Sequence, residues 1–441
     1  MTAVACKWAL RLGSLLTIAC PAIVQAQTYE VTPIVIAGDD APSPVGGTYV
    51  LPNLSRFCSA VSGFGDFVFT SQIDGGSQPG GLFVQSETTA SVVSLAGDSV
   101  TGTPIGAFTY DEILNCVSIS DGRSVVFIAE QFGPGGTFRQ GIFLDQGGAD
   151  SLVVLDGQTA PGGEVLSIFG QPVLNDDVVV FGSNAGLLYS DGPGALAAVA
   201  LSGDVAEGTG GGTYFGIGAP ELSDSGALAA IGTLDGGLAE AGLFVGDITG
   251  ISAVVLLGDP APGTGGTFSN FRAWDINDDG DLAFAANIEG GSVGNGIFLL
   301  SGAVLTPIAL AGQSAPETGG GVFNTLEDPH IGESGAIAYR ASIDPAGEGP
   351  LLSNGVFVTS NSDTVAAALS DQLAPLGGQA SITSLGGIGK GDEVFFQAAV
   401  TDDMNNFSHA IYTAPEPNVG RLALAAVLAL LSLGTVRRQR S

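Results

Sequence analysis

Few side chains in this 441-residue chain are equipped for chemistry: two histidines, four cysteines, and 44 acidic residues against 12 lysines and arginines. His330 and His409 belong to different stretches of sequence and sit where turns or strand edges are expected, so neither a nucleophile–histidine–acid triad nor a histidine zinc site assembles from them. Carboxylates are numerous enough to supply the paired acids of glycoside hydrolysis, and numerous enough to pair by accident. The run Asp275-Ile276-Asn277-Asp278-Asp279-Gly280-Asp281 alternates oxygen-bearing side chains ahead of a glycine. That makes Asp275, Asn277, Asp279 and Asp281 a calcium-loop candidate, although Ala286 stands where a bidentate glutamate is needed. A hairpin turn is the simpler account.

A second set of acids recurs in a Gly-Asp motif. Ala37-Gly38-Asp39, Ala96-Gly97-Asp98, Ser202-Gly203-Asp204 and Leu257-Gly258-Asp259 share it, and Asp156-Gly157-Gln158 and Ala311-Gly312-Gln313 are variants. A degenerate copy lies at Ser370-Asp371-Gln372, and successive copies are about 46 to 60 residues apart, a repeat-protein spacing. If the motifs gather on one rim, Asp39, Asp98, Asp204 and Asp259 could hold cations, calcium among them, or polar glycans. Alternatively, each aspartate fixes its own turn through bonds to backbone amides. No cofactor is required by any of these patterns. Cys58 and Cys116 fall 20 and 19 residues after the motif glycines Gly38 and Gly97, near-equivalent places in adjacent units, and are candidates for a disulfide in an oxidising compartment.

The elements that would position these residues are strands. In the clearest unit, strands are expected over 267–276, 281–288, 296–300 and 305–311, separated by Asp-Gly and Gly-Gly punctuation that favours antiparallel hairpins. Second strands are apolar on both faces, as in Leu282-Ala283-Phe284 and Val394-Phe395-Phe396. That suits a sheet packed between neighbouring sheets. Third strands repeat a glycine–apolar–aromatic step, as in Gly296-Ile297-Phe298 and Gly355-Val356-Phe357, whose aromatics belong to the core. The chain is therefore expected to be all-β: a β-propeller of seven four-stranded blades over residues 27–413. The last unit stops after three strands at Tyr412-Thr413, and Val31–Gly38 is a fourth strand without a preceding unit, so the N-terminal strand should close the ring. A β-solenoid is the alternative, without a use for the complementary ends. An outer-membrane barrel is a third, disfavoured by the doubly apolar second strands.

Asn277-Asp278-Asp279-Gly280-Asp281-Leu282-Ala283-Phe284 resembles the NxxGxxAF tandem repeat of secreted bacterial proteins with varied C-terminal anchors. That resemblance implies a surface or secreted role and no established reaction. The ends agree. Residues 1–26 read as a signal peptide, with Lys7 and Arg11 before an apolar stretch and cleavage after Ala26. Residues 414–441 carry Pro415-Glu416-Pro417, an apolar run at 422–436 and the basic Arg437-Arg438-Gln439-Arg440. The order of these three features resembles the PEP-CTERM sorting signal of Gram-negative bacteria. It implies an exosortase-type processing partner, an inner-membrane intermediate contacted through the C-terminal segment, and delivery to the cell surface or extracellular matrix.

A formal net charge of −32 excludes nucleic acid as an expected partner, because a polyanion is repelled. The expected role is non-enzymatic: structural, adhesive, or binding to extracellular polysaccharide or surface protein. The runner-up is a carbohydrate-active propeller enzyme using rim carboxylates. Sialidase-type Asp-boxes need a tryptophan at each turn, and only Trp8 and Trp274 are present.

Overall fold

The computed structural model describes residues 31–414 apart from internal stretches, the longest being 53–60, 101–107 and 346–353. The signal peptide with Ala26, the C-terminal segment with Pro415, Glu416, Pro417, Arg437, Arg438 and Arg440, Cys58 and the side chain of Cys116 lie outside the described residues. Among the described residues no helix is long and apolar enough to cross a membrane.

The chain forms seven antiparallel sheets, each built on four strands, arranged as a β-propeller. Blade 1 spans residues 48–95, blade 2 108–155, blade 3 169–201, blade 4 213–256, blade 5 266–310, blade 6 322–369 and blade 7 379–414. In blades 2 and 5 a two-residue strand, Ser99–Val100 and Pro260–Ala261, pairs beside the first strand. The clearest unit matches expectation closely, with strands Gly266–Ile276, Leu282–Glu289, Asn295–Ser301 and Val304–Leu310. First strands of blades 2 to 7 touch in succession, which places them around the central axis.

Blade 7 contributes only Gln379–Ile388, Val394–Thr401 and Phe407–Ala414 of its own. Its fourth strand is the N-terminal Thr32–Ile36, with Thr32 opposite Thr413 and Ile36 opposite Ala410. Val35 is 2% exposed and packs in the cluster shared with blade 1, while Val31 and Ile36 pack towards blade 6. Phe67 of blade 1 meets Phe395 of blade 7 with ring centroids 5.6 Å apart, completing the circle.

Hydrophobic cores lie between blades. Leu282 through Ala286 are fully buried. Alternate side chains serve opposite neighbours: Ala283 and Ala285 join the cluster with blade 6, and Leu282, Phe284 and Ala286 join that with blade 4. Period-2 geometry divides the strand this way, so both faces had to be apolar. Second- and third-strand aromatics stack across the pair, as in Phe284–Phe298 at 5.6 Å and Phe396–Tyr412 at 5.5 Å. The glycine of the third-strand step has a packing reason. A Cβ on Gly296 would lie 2.6 Å from Leu310 Cδ2 and 2.9 Å from the Ala309 carbonyl, and Gly242 and Gly355 meet Leu256 and Leu369 in the same way.

Candidate functional site

The aspartates of the Gly-Asp motifs reach the rim expected for them. Ser77 N donates to the Val45 carbonyl (2.8 Å), and Leu238 N and Ser292 N donate to Thr209 and Thr264 carbonyls (2.9 Å each), so the segments that follow these motifs and the second-to-third-strand loops share one end of the propeller. There each carboxylate is tied into its own turn. Oδ2 of Asp39, Asp98, Asp204 and Asp259 accepts from the backbone N of Ile36, Leu95, Leu201 and Leu256 at 2.8–3.0 Å. Gln158 and Gln313 accept from Leu155 N and Leu310 N in the same geometry. A neutral amide fills the place, so the position needs an acceptor oxygen rather than a charge. Among the described residues, no group of three or more His, Cys, Asp or Glu side chains is arranged to hold a metal ion.

The calcium-loop candidate is a hairpin turn between the first and second strands of blade 5. Asn277, 1% exposed, accepts on Oδ1 from Asp281 N at 2.9 Å, and Gly280 adopts φ +77°. Asp275 accepts from Ile276 N at 2.9 Å and, on its other oxygen, from Ile331 N of blade 6 at 3.0 Å, with His330 Nδ1 3.3 Å away. Asp279 is exposed at the turn. Asp275 and Asn277 thus serve backbone amides, Asp281 takes part through its own backbone N–H, and no metal-holding group of acids is found here among the described residues.

That turn recurs around the ring, and it explains the NxxGxxAF-like pattern. Ser62, Ser120 and Ser223 stand where Asn277 does, each buried and each accepting from the N–H four residues on at 3.1–3.2 Å. The fourth residue of every five-residue turn is left-handed: Gly65, Arg123, Gly226, Gly280, Gly335 and Asp392, with φ between +58° and +90°. Only glycine adopts this freely. Arg123 stands in for it while its Nε binds the nearly buried carboxylate of Asp66 on blade 1 at 2.5 Å.

These turns surround the axis at the end opposite the Gly-Asp rim and enclose a cavity of about 410 Å³. All seven blades contribute to its lining, which includes Asp121, Asp224, Asp275, Asp278, Glu333 and Asp392. Among the described residues His330 is the one basic side chain of the lining, and Phe64, also in the lining, is 62% exposed. Neighbouring turns are laced together. Asn175 Nδ2 donates to the Ser223 carbonyl at 2.9 Å, Ser225 N to Asp278 Oδ1 at 2.6 Å, Asp278 N to Glu333 at 3.1 Å, and Ser334 Oγ to Asp392 at 2.6 Å.

The carboxylates perturb one another. Asp224 opens onto the cavity, yet the surrounding turns strip water from it. That desolvation, with the facing carboxylate of Asp121 and with Asp278 and Glu333 beyond, pushes its pKa up to about 7. Glu333 is also raised, chiefly by desolvation. A carboxyl that keeps its proton near neutrality beside ionised neighbours can donate a hydrogen bond, receive a cation as it ionises, or act as a general acid. Sequence reasoning missed this cavity because it weighed acids by the Gly-Asp repeat rather than by their place in the hairpin turns. The available signal was a shared position: Asp121, Asp224, Asp278 and Glu333 each directly follow the first turn residue, Ser120, Ser223, Asn277 or Gly332.

Fold and cavity together define a seven-bladed propeller with an acidic axial cavity. The chain belongs to a family of unknown function (DUF7453), whose model matches residues 17–181 and 177–371. No curated protein matches it significantly. Similar solved structures include a Trypanosoma rangeli sialidase, at 8% identity and a TM-score of 0.33, covering 91% of this chain and 60% of that one. A Mycobacterium tuberculosis puromycin-hydrolyzing peptidase is similar at 13% identity and a TM-score of 0.33, with 84% and 61% covered. A Bombyx mori GH32 beta-fructofuranosidase is similar at 13% identity and a TM-score of 0.26, with 88% and 91% covered. The chain thus spans about 60% of the sialidase's length.

Proposed function

We propose that this protein is exported to the cell surface or extracellular matrix and acts there as a binding module, taking an amine-bearing polysaccharide into the axial cavity. The observation that supports this is the lining itself: carboxylates converge from separate blades on a cavity of about 410 Å³, and among the described residues histidine is the one basic side chain that lines it. Such a wall attracts ammonium groups, and an exposed phenylalanine beside it offers a face to a sugar ring or a cation. The aspartates of the Gly-Asp motifs remain an alternative glycan rim, and an exosortase-type enzyme would process the C-terminal segment.

Co-sedimentation of the full chain with a glucosamine-rich polysaccharide and with a neutral glucan tests the binding role. Binding confined to the amine-bearing polymer, and weakened by Asp278→Asn or Glu333→Gln, is expected. Equal retention on both polymers, or on neither, would overturn it. An intact mass lacking residues 1–26 and everything beyond Pro417 would support export and sorting; a mass retaining Arg437–Ser441 would count against sorting.

One observation favours a second reading, hydrolysis of a glycan. Asp224 holds a proton near neutrality, as a general acid must; Asp121, within hydrogen-bonding reach, helps to raise it but stands too near to be the second carboxylate, a role left to the other acids of the lining. Reducing ends released by the wild type and lost in Asp224→Asn would favour it over simple binding.

A further inference from the structure

Blade 3 departs from the repeat at the cavity. Five residues connect the first two strands in blades 2, 4, 5, 6 and 7, as between Ile119 and Val125, Leu222 and Leu228, or Ile276 and Leu282. In blade 1 the same five separate Val61 from its bridge partner Phe67. Blade 3 makes the connection with two, between Asn175 and Val178, which pair directly. The connection is three residues shorter there, and the turns of blades 2 and 4 meet across blade 3. Asp121 of blade 2 and Asp224 of blade 4 lie within hydrogen-bonding reach, although a whole blade separates their strands. Asn175 supports the approach from below by donating to the Ser223 and Asp224 carbonyls at 2.9 and 2.5 Å.

We propose that the facing carboxyls of Asp121 and Asp224 form a proton-held clasp over blade 3, closed while they share a proton and released when both are ionised. Two carboxylates cannot bond to one another, whereas a carboxyl and a carboxylate can, so a single proton changes the contact from repulsive to attractive. The charges facing Asp224 are all of one sign: Asp121, Asp278 and Glu333. Arg123 neighbours Asp121 in sequence, but its guanidinium is engaged with Asp66 on blade 1. The raised pKa of Asp224, with desolvation as its largest cause, brings the switch close to neutrality. Asp121 Oδ1 is buried without a hydrogen-bond partner, so the blade 2 side of the clasp is poorly compensated whenever Asp224 gives up its proton. When the clasp releases, the turns at 120–124 and 223–227 part and the cavity opens over blade 3. The clasp operates whether the cavity binds a glycan or cleaves one.

The test follows the full chain through pH 5–8. Carboxyl carbon NMR should find Asp224 titrating near 7 and moving towards the ordinary aspartate range in Asp121→Asn. Amide exchange at 120–124 and 223–227 should quicken, beyond the intrinsic base-catalysed rise, by up to about tenfold per pH unit below that midpoint and level off above it. Asp224→Asn keeps a hydrogen-bond donor and cannot ionise, so its turns should stay protected throughout. An Asp224 titration below pH 5, or wild-type turn protection that follows the intrinsic rate across the range, overturns the clasp. The wild-type measurements decide the matter even if a variant fails to fold.

Discussion

Replacing Val35 with aspartate puts a carboxylate on the strand that closes the ring. Val35 is 2% exposed, between Ile411 of blade 7 and the aromatic core of blade 1. Burial of a valine contributes about 1.5–3 kcal/mol. A carboxylate forced into that place without a partner costs roughly 3–5 kcal/mol more. The chain avoids the second cost by letting residues 32–36 leave the sheet. The loss is then capped at what the strand contributes: the valine and its half-buried neighbours Ile34 and Ile36, roughly 3–6 kcal/mol together, with the ladder to Phe407–Ala414 offset by the entropy the freed strand regains. Val35→Ala keeps the strand docked and should lose about 1–2 kcal/mol. Urea denaturation gives both values, and amide exchange at Ala410–Thr413 reports docking directly. Loss of protection there in Val35→Asp, together with concentration-dependent association through the bared edge, is expected. A Val35→Asp midpoint equal to wild type, with protection intact, would refute closure by this strand.

Other positions give further tests. Gly296→Ala forces a methyl against Leu310 and the Ala309 carbonyl and should destabilise by about 1–3 kcal/mol in chemical denaturation; an unchanged midpoint would contradict the packing reason given for the third-strand glycine. Asn277→Ala strands the half-buried Asp281 amide and should lose about 1–2 kcal/mol, whereas Asn277→Ser should recover much of it, because serine caps three sister turns. Asp224 is raised in the folded state to about 7 from the ordinary aspartate range, so the folded chain holds a proton that the unfolded chain has released. Its stabilising contribution is complete below about pH 4 and is lost as pH climbs to about 7. Because the group opens onto solvent in the cavity, the loss should be about 1–2 kcal/mol, well under the full linkage value. Thermal melts should show this slope in wild type and not in Asp224→Asn; identical slopes would remove Asp224 from the account.

Much of the fold was written in short-range pattern. Leu282-Ala283-Phe284 is apolar on both faces because alternate side chains must fill two different interfaces, and the third-strand glycine precedes its aromatic because the fourth-strand leucine needs its space. Residues 31–38 matched a fourth strand and the last unit lacked one, so ring closure was legible from two incomplete ends. The site was legible only in part. The aspartates of the Gly-Asp motifs stood out by repetition, yet repetition marked a local need, an acceptor for one amide three residues back, that glutamine meets equally well. The acids of the axial cavity looked like ordinary turn residues. Local sequence determines which strand forms and which side chain caps its turn, since those contacts lie within a few residues. Only the tertiary packing of blades 2, 3 and 4 brings Asp121 and Asp224, 103 positions apart, to one place, because their meeting depends on how blade 3 seats between its two neighbours.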